Sequence, residues 1–252
     1  MSPSRIKHKK TGSFISCMDM GDQIYSLLFA RRIKAKKIYL DSSGGKPYRK
    51  ENGAIHGHTK FNLKSANFLV PLFNYQNYID IAEIYVDQEY DFNIGEWDEA
   101  VPLHSGTNLL DFHATKFDIN WEECTESWLE APESDKEWLK DIKVVINRTP
   151  RYQGNSPFYE NILKSFDPSK CLFVGLPQEY EAFVDEFSFP LNFYQADDAL
   201  DLASVINSVP LFLGNQSTSC AIARGLGKLC FIEIGRGSAN YVFPYNKEIH
   251  YF

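Results

Sequence analysis

Pro210-Leu-Phe-Leu-Gly-Asn-Gln-Ser-Thr-Ser-Cys-Ala-Ile-Ala-Arg-Gly-Leu-Gly-Lys-Leu-Cys-Phe-Ile-Glu233 sets two apolar runs around a polar turn and a short helix. The run Pro210 to Leu213 is too short for a helix and ends at Gly214. After the turn, Ala221, Ile222 and Leu226 share one helical face, closed by Gly225 and Gly227. A second run, Leu229 to Ile234, completes strand, turn, helix and strand. That is the crossover unit of a parallel sheet, whose strands are buried on both faces and therefore continuously apolar. The turn opens a helix, so its free backbone N–H groups and the hydroxyls of Ser217, Thr218 and Ser219 point where an anion would sit. The same residues also suit simple N-caps, which is the reading the stretch alone favours; the rest of the chain bears on the choice.

Working outward, Ser13 to Met18 predicts a strand, Gln23 to Ile33 a helix after the turn Asp19-Met-Gly-Asp22, and Lys37 to Asp41 a second strand. The unit at this end of the chain thus has the same grammar as the one at the other end. A helix is expected around Ser65 to Tyr75 and a strand in the latter half of Asn77 to Val86. Asp87 to Glu99 is expected to be irregular, and Leu109 to Phe117 and Trp121 to Leu129 to be helical, with Trp121 and Trp128 in the core. Ala131-Pro-Glu-Ser-Asp135 has linker composition. Beyond it the pattern predicts β-α-β-α-α-β-α-β, with strands at Lys143 to Asn147 and Cys171 to Gly175 and helices at Phe158 to Phe166, Gln178 to Phe187 and Leu200 to Ile206. Two α/β domains follow, 1–135 and 136–252.

Composition excludes some classes. No apolar run reaches the length of a membrane span, and the basic, polar N-terminus lacks the apolar segment of a secretion signal. The five cysteines are scattered without CxxC spacing, and Cys17, Cys171 and Cys230 sit in apolar runs. A reducing, cytoplasmic setting is expected. Net charge is −7 but uneven: residues 1–64 carry 14 Lys/Arg against 4 Asp/Glu, and residues 65–135 carry 1 against 16. Such blocks are either solvated faces or, for the basic one, a surface for a polyanion. His56-Gly-His58, in the long polar segment Ser42 to Asn62, invites a metal reading. No acidic, Cys or third His partner lies near it in sequence, so no metal site is assigned.

Several segments, in order, resemble the GT-B glycosyltransferases related to lipopolysaccharide heptosyltransferases, and most closely the short heptosyltransferase-like proteins of phages and bacteria. They are Ser16-Cys-Met-Asp-Met-Gly-Asp22-Gln-Ile-Tyr-Ser-Leu, Phe68-Leu-Val-Pro-Leu-Phe with Gln76-Asn-Tyr-Ile, Ser127-Trp-Leu, Val145-Ile-Asn-Arg-Thr-Pro-Arg151-Tyr, Leu172-Phe-Val-Gly-Leu-Pro, and Gly214-Asn-Gln-Ser with Ala221-Ile-Ala. The resemblance implies a compact GT-B-like fold: two parallel-sheet, Rossmann-like domains facing across a cleft, the donor on the second. It implies inverting transfer of a sugar from a nucleotide-sugar to an acceptor hydroxyl, with the nucleotide-sugar as substrate and no cofactor. No DxD-type motif stands in a metal-binding loop, since Asp197-Asp198 precedes a helix and reads as a cap, so a metal-independent transfer is expected.

By the same resemblance Asp22 stands where the group carries its general base, a role that a carboxylate at a strand-to-helix turn can fill, though capping its helix is the plainer one. Arg148 and Arg151 stand where the group binds the donor diphosphate, for which planar guanidinium groups are suited. Gly214, Asn215, Gln216, Ser217, Thr218 and Ser219 would cradle the donor. The chain departs from the group where Gln216-Ser-Thr218 replaces Asp-Thr-Gly and Ala221 replaces a His, so ADP-heptose is not assigned as donor. Glu233 suits either a nucleoside ribose or a solvated loop. Tyr48 and His56 interleave with Lys46, Arg49, Lys50 and Lys60, so a polyanionic acceptor, modified DNA or a phosphorylated glycan, stands as an expectation beside a neutral small acceptor. A non-catalytic nucleotide-sugar binder of the same ancestry, or a related epimerase or hydrolase, is the rival reading.

Overall fold

A computed structural model describes residues 12–16, 19–43, 61–93, 127–154, 156–235 and 248–252. The expected helix at Leu109–Phe117, Trp121, the basic N-terminal tail and the pair His56 and His58 lie outside these residues.

The first sheet holds β1 (Ser13–Ser16), β2 (Lys37–Leu40), β3 (Ile81–Ile84) and β4 (Phe92–Asn93), in the order β3-β2-β1-β4 with every pairing parallel. Helix α1 (Met20–Arg32) links β1 to β2, and α2 (Leu63–Tyr75) lies between β2 and β3. Right-handed crossovers running in one direction place both helices on one face of the sheet. Asn62 caps α2 by accepting from Ser65 N at 3.0 Å. Asn74 near its end bonds both backbone groups of Ala82 and so fixes where β3 begins.

The second sheet contains β5 (Val144–Asn147), β6 (Cys171–Val174), β7 (Asn192–Tyr194), β8 (Leu211–Asn215), β9 (Leu229–Glu233) and β10 (Ile249–Tyr251). Between them come α3 (Ser156–Leu163), α4 (Pro177–Phe187), α5 (Ala199–Asn207) and α6 (Thr218–Gly225). Its order, β10-β9-β8-β5-β6-β7, is all parallel and reverses between β5 and β8, which makes that gap the topological switch point. The reversal sends α3 and α4 to one face and α5 and α6 to the other. Alternate residues of the strands confirm it: Val144, Ile146 and Phe173 pack with Tyr159, Leu163 and Phe183, whereas Val145, Leu172 and Phe212 join the core of α5 and α6.

That second core does not stop at the helices. α1 packs on α6 and α2 on α5, so one apolar cluster runs from Ile38 and Leu40 of the first sheet through Leu27, Phe29 and Phe73 to Ala221, Val205 and Leu172. Residues 23–30 of α1 are all buried, as expected of a helix covered on every side.

The structure departs from the sequence reading in four elements. β4 forms inside the segment expected to be irregular. β7 and β10 were not predicted; both are short edge strands with exposed or half-buried side chains, so neither has the apolar run of a central strand. Residues 127–129, expected to end a helix, carry no regular structure and with Glu130 form a strap. Its backbone N–H groups at Trp128 and Leu129 both donate to Gly225 O (2.9 Å each), and Glu130 N donates to Gln76 Oε1. With its donors satisfied from α6 and α2, the strap has no need of helical bonds. Trp128 is buried as expected, its Nε1 donating to Ile24 O at 3.0 Å.

Candidate functional site

The carboxyl ends of β1, β5 and β8 converge, and the chain leaves each of them in a turn that carries residues singled out from sequence. At β8, Gly214 lies so close to β5 that a β-carbon on it would meet Asn147 O at 2.2 Å. Only glycine permits this approach. Asn215, fully buried, then bonds both backbone groups of Thr149: Thr149 N donates to Oδ1 (2.9 Å) and Nδ2 donates to Thr149 O (2.7 Å). The amide side chain thereby acts as one more rung of the ladder and holds the two turns side by side. Ser217 caps α6, accepting from Cys220 N at 3.1 Å. Ser219 is buried, and Gln216 and Thr218 are half-buried.

The turn before α1 meets this pair from the first sheet. A β-carbon on Gly21 would lie 3.7 Å from Ser217 O and 3.9 Å from Thr218 Cα, ordinary contact distance. Asp22 follows in the first turn of α1 and is half-buried. Asp19 occupies the N-cap position, yet its side chain makes no capping hydrogen bond. Its Oδ2 faces Nη1 and Nη2 of Arg151, each at 3.4 Å.

Arg148 and Arg151 have different surroundings. The Arg148 side chain is 1% exposed; Nε and Nη2 grip Glu233 at 2.7 and 3.0 Å, Nη1 bonds Glu186 at 2.5 Å, and the guanidinium lies against the rings of Tyr159 and Phe187, which stack on each other. Burial pulls its pKa down, but the hydrogen bond and charge of Glu233, with Glu186, more than restore it, so the net shift is upward. Glu233 is therefore neither solvated nor open to a ribose in this arrangement: it is 1% exposed and also accepts from Gly154 N at 2.7 Å. Arg151, on the turn Pro150–Tyr152, keeps a 23% exposed side chain and lies over the Tyr152 ring at 4.5 Å. It also donates to the Tyr152 hydroxyl at 2.5 Å. Burial raises the pKa of that phenol; Arg151 opposes this, and the charges of Asp22 and Asp19 add to it.

The structure thus gathers Asp22, Arg151 and the Ser217–Thr218 turn at one place, and turns Arg148 inward beneath it. Sequence reasoning missed Asp19 and Tyr152. The signals were present: an acidic residue three before Asp22, and an aromatic directly after Arg151.

No protein-family model matches the chain, and no curated protein matches it. Solved structures do. A glycosyl transferase of family 9 from Veillonella parvula superposes with a TM-score of 0.62 at 12% identity, covering 97% of this chain and 88% of that one. The ADP-heptose lipopolysaccharide heptosyltransferase II of E. coli gives 0.53 at 10% identity, covering 95% and 89%. The dodecameric iron-containing heptosyltransferase TibC, solved with ADP-D-β-D-heptose, gives 0.52 at 14%, covering 97% and 63%. These likenesses establish the fold: an α/β protein of two parallel sheets, arranged as in GT-B glycosyltransferases. Among the described residues no helix is long and apolar enough to cross a membrane.

Proposed function

We propose that this chain is a glycosyltransferase that moves a sugar from a nucleotide-sugar to an acceptor hydroxyl, with inversion and without a metal. The observation that carries the reading is the meeting of the Asp22 turn with the Arg151 and Ser217–Thr218 turns at the switch point, where open parallel sheets bind ligands. Asp22 takes the acceptor proton. Arg151 meets the charge that develops on the leaving diphosphate, and Gly214 to Ser219 receive the donor with the free N–H groups of α6. Arg148 supports that site from below: its bonds to Glu233 tie the Pro150–Gly154 turn to the end of β9. TibC holds a nucleotide-sugar, which makes that ligand class the first to test here. In an assay of nucleoside diphosphate release from UDP-, ADP- and GDP-sugars, Asp22→Asn should lower turnover about 10²- to 10⁴-fold with nucleotide binding nearly intact. Near-normal turnover would reduce Asp22 to a helix-start residue.

A polyanionic acceptor, modified DNA or a phosphorylated glycan, is supported by the net +10 of residues 1–64. Acceptor affinity should then fall steeply with salt, and less steeply when Lys46, Arg49 and Lys50 are neutralised together. A flat profile in both proteins would remove the idea. One observation favours a non-catalytic nucleotide-sugar binder instead: Ala221, where the related enzymes carry a His, is fully buried in the shared core. Tight binding of a nucleotide-sugar with no release of diphosphate in any acceptor would decide for that reading.

A further inference from the structure

Asp19 presents an anomaly. An aspartate at an N-cap ordinarily accepts from the backbone N–H groups of the first helical turn. Here α1 begins at Met20 with no side-chain cap at all, and the Asp19 carboxylate is turned to Arg151 instead. The contact it makes there is loose. Both guanidinium nitrogens converge on the single oxygen Oδ2 at 3.4 Å, whereas charge-assisted bonds are ordinarily about 2.7–2.9 Å and the favoured Arg–carboxylate form uses both oxygens. The other oxygen, Oδ1, is buried and has no hydrogen-bond partner among the described residues. Arg148 provides the contrast within the same turn. It grips Glu233 through two parallel bonds of 2.7 and 3.0 Å and is closed off from solvent, so it has no second state to move to.

We propose that Asp19 is a built-in competitor for the anion that Arg151 recognises. It occupies the guanidinium in the empty protein and yields it to the phosphates of the ligand. The inference rests on the donor-site reading above and adds to it the residue that sets the affinity. A diphosphate presents several oxygens to the two nitrogens that now share a single carboxylate oxygen, Nη2 bonding the Tyr152 hydroxyl as well, and so makes the shorter, parallel bonds that Asp19 does not. The displaced carboxylate has a place to go. It stands at the N-cap of α1, where the first-turn N–H groups favour an acceptor and the helix dipole favours a negative charge. Ligand binding therefore trades one loose ion pair for a phosphate contact and a capped helix. Because Gly21 and Asp22 are the second and third residues of that helix, filling the donor site also reorganises the backbone start beside the proposed base.

The test is a double-mutant cycle by titration calorimetry with ADP, UDP and GDP, on the wild type, Asp19→Asn, Arg151→Ala and the double variant. A partly exposed ion pair gives a modest effect, so Asp19→Asn should tighten diphosphate binding by between about twofold and fivefold. In the Arg151→Ala background the same change should do clearly less, since the competition no longer exists. Removing a negative charge also helps any anion at a distance, but that gain is common to both backgrounds and cancels in the cycle. Asp19→Ser, which retains a capping side chain, should show the same gain as Asp19→Asn and guards against a folding defect. Equal gains in both backgrounds, or weaker binding by both Asp19 variants while Arg151 is present, would overturn the competitor role and leave the donor site standing. No binding of any diphosphate to any of the proteins at millimolar concentration would overturn the donor-site reading itself.

Discussion

Arg148 is enclosed by Glu233, Glu186, Ser156 and two aromatic faces, whereas Arg151, three residues on, keeps an edge in solvent. Removing each should therefore produce opposite signatures. Arg148→Ala leaves Glu233 buried without its counter-charge, and breaking such a pair costs about 3–5 kcal/mol. Denaturant unfolding should show that loss. Arg151→Ala should leave stability within about 1 kcal/mol of wild type, because its pair with Asp19 is loose and partly exposed. In ligand titrations it should weaken nucleoside diphosphate binding by about 1.5–3 kcal/mol and nucleoside binding hardly at all. Equal losses for both ligands would show that Arg151 does not touch phosphate. Nothing in Asn-Arg148-Thr-Pro-Arg151 distinguishes these roles, since the residue that commits Arg148 lies 85 positions away at Glu233. Pairings of that kind belong to tertiary structure, and a local pattern does not carry them.

The strands show where local pattern suffices. Val144–Ile146, Cys171–Val174 and Leu211–Leu213 are legible because a central parallel strand is covered on both faces and must be apolar throughout. Asn192-Phe-Tyr194 and Ile249-His-Tyr251 are edge strands, half in solvent, and are too short and mixed to show a period. The turn after β8 is legible because glycine and small polar residues follow an apolar run. What the pattern did not show is that Gly214 and Asn215 also hold β5 and β8 together. Gly214→Ala tests this join. Its β-carbon would collide with backbone, Asn147 O at 2.2 Å, with Phe212 ring carbons at 3.0 Å behind it. Overpacking without room to relax costs about 1–3 kcal/mol or more. Hydrogen exchange should show the loss concentrated in the β5–β8 ladder, between Val144–Asn147 and Leu211–Gly214. Wild-type protection there would mean that the turn adapts.

At the scale of the whole molecule, the two sheets are joined by a double layer of helices, α1 and α2 against α6 and α5, with one continuous apolar core. Leu27 is fully buried within that core. Leu27→Ala should cost about 2–5 kcal/mol, and it should lower hydrogen-exchange protection in β2 and β6 by similar amounts although they lie in different sheets. Protection lost in β2 alone would show that the halves unfold separately. The sequence showed two units of the same grammar but not their fusion, because the apolar faces of α1 and α6 look alike whether they cover their own sheet or each other.

That shared helical layer bears on modularity. Proteins whose lobes are joined by a linker alone can be cut between them, recombined with lobes of other origin, or produced one lobe at a time. This chain lacks that freedom. The strap at residues 127–130 is bonded to both α2 and α6, and either half made alone would present the bare faces of two helices to water. Exposed apolar areas of that kind drive association rather than solubility. New binding preferences are therefore open to this protein through its turns, residue by residue, and closed to it through the exchange of whole lobes.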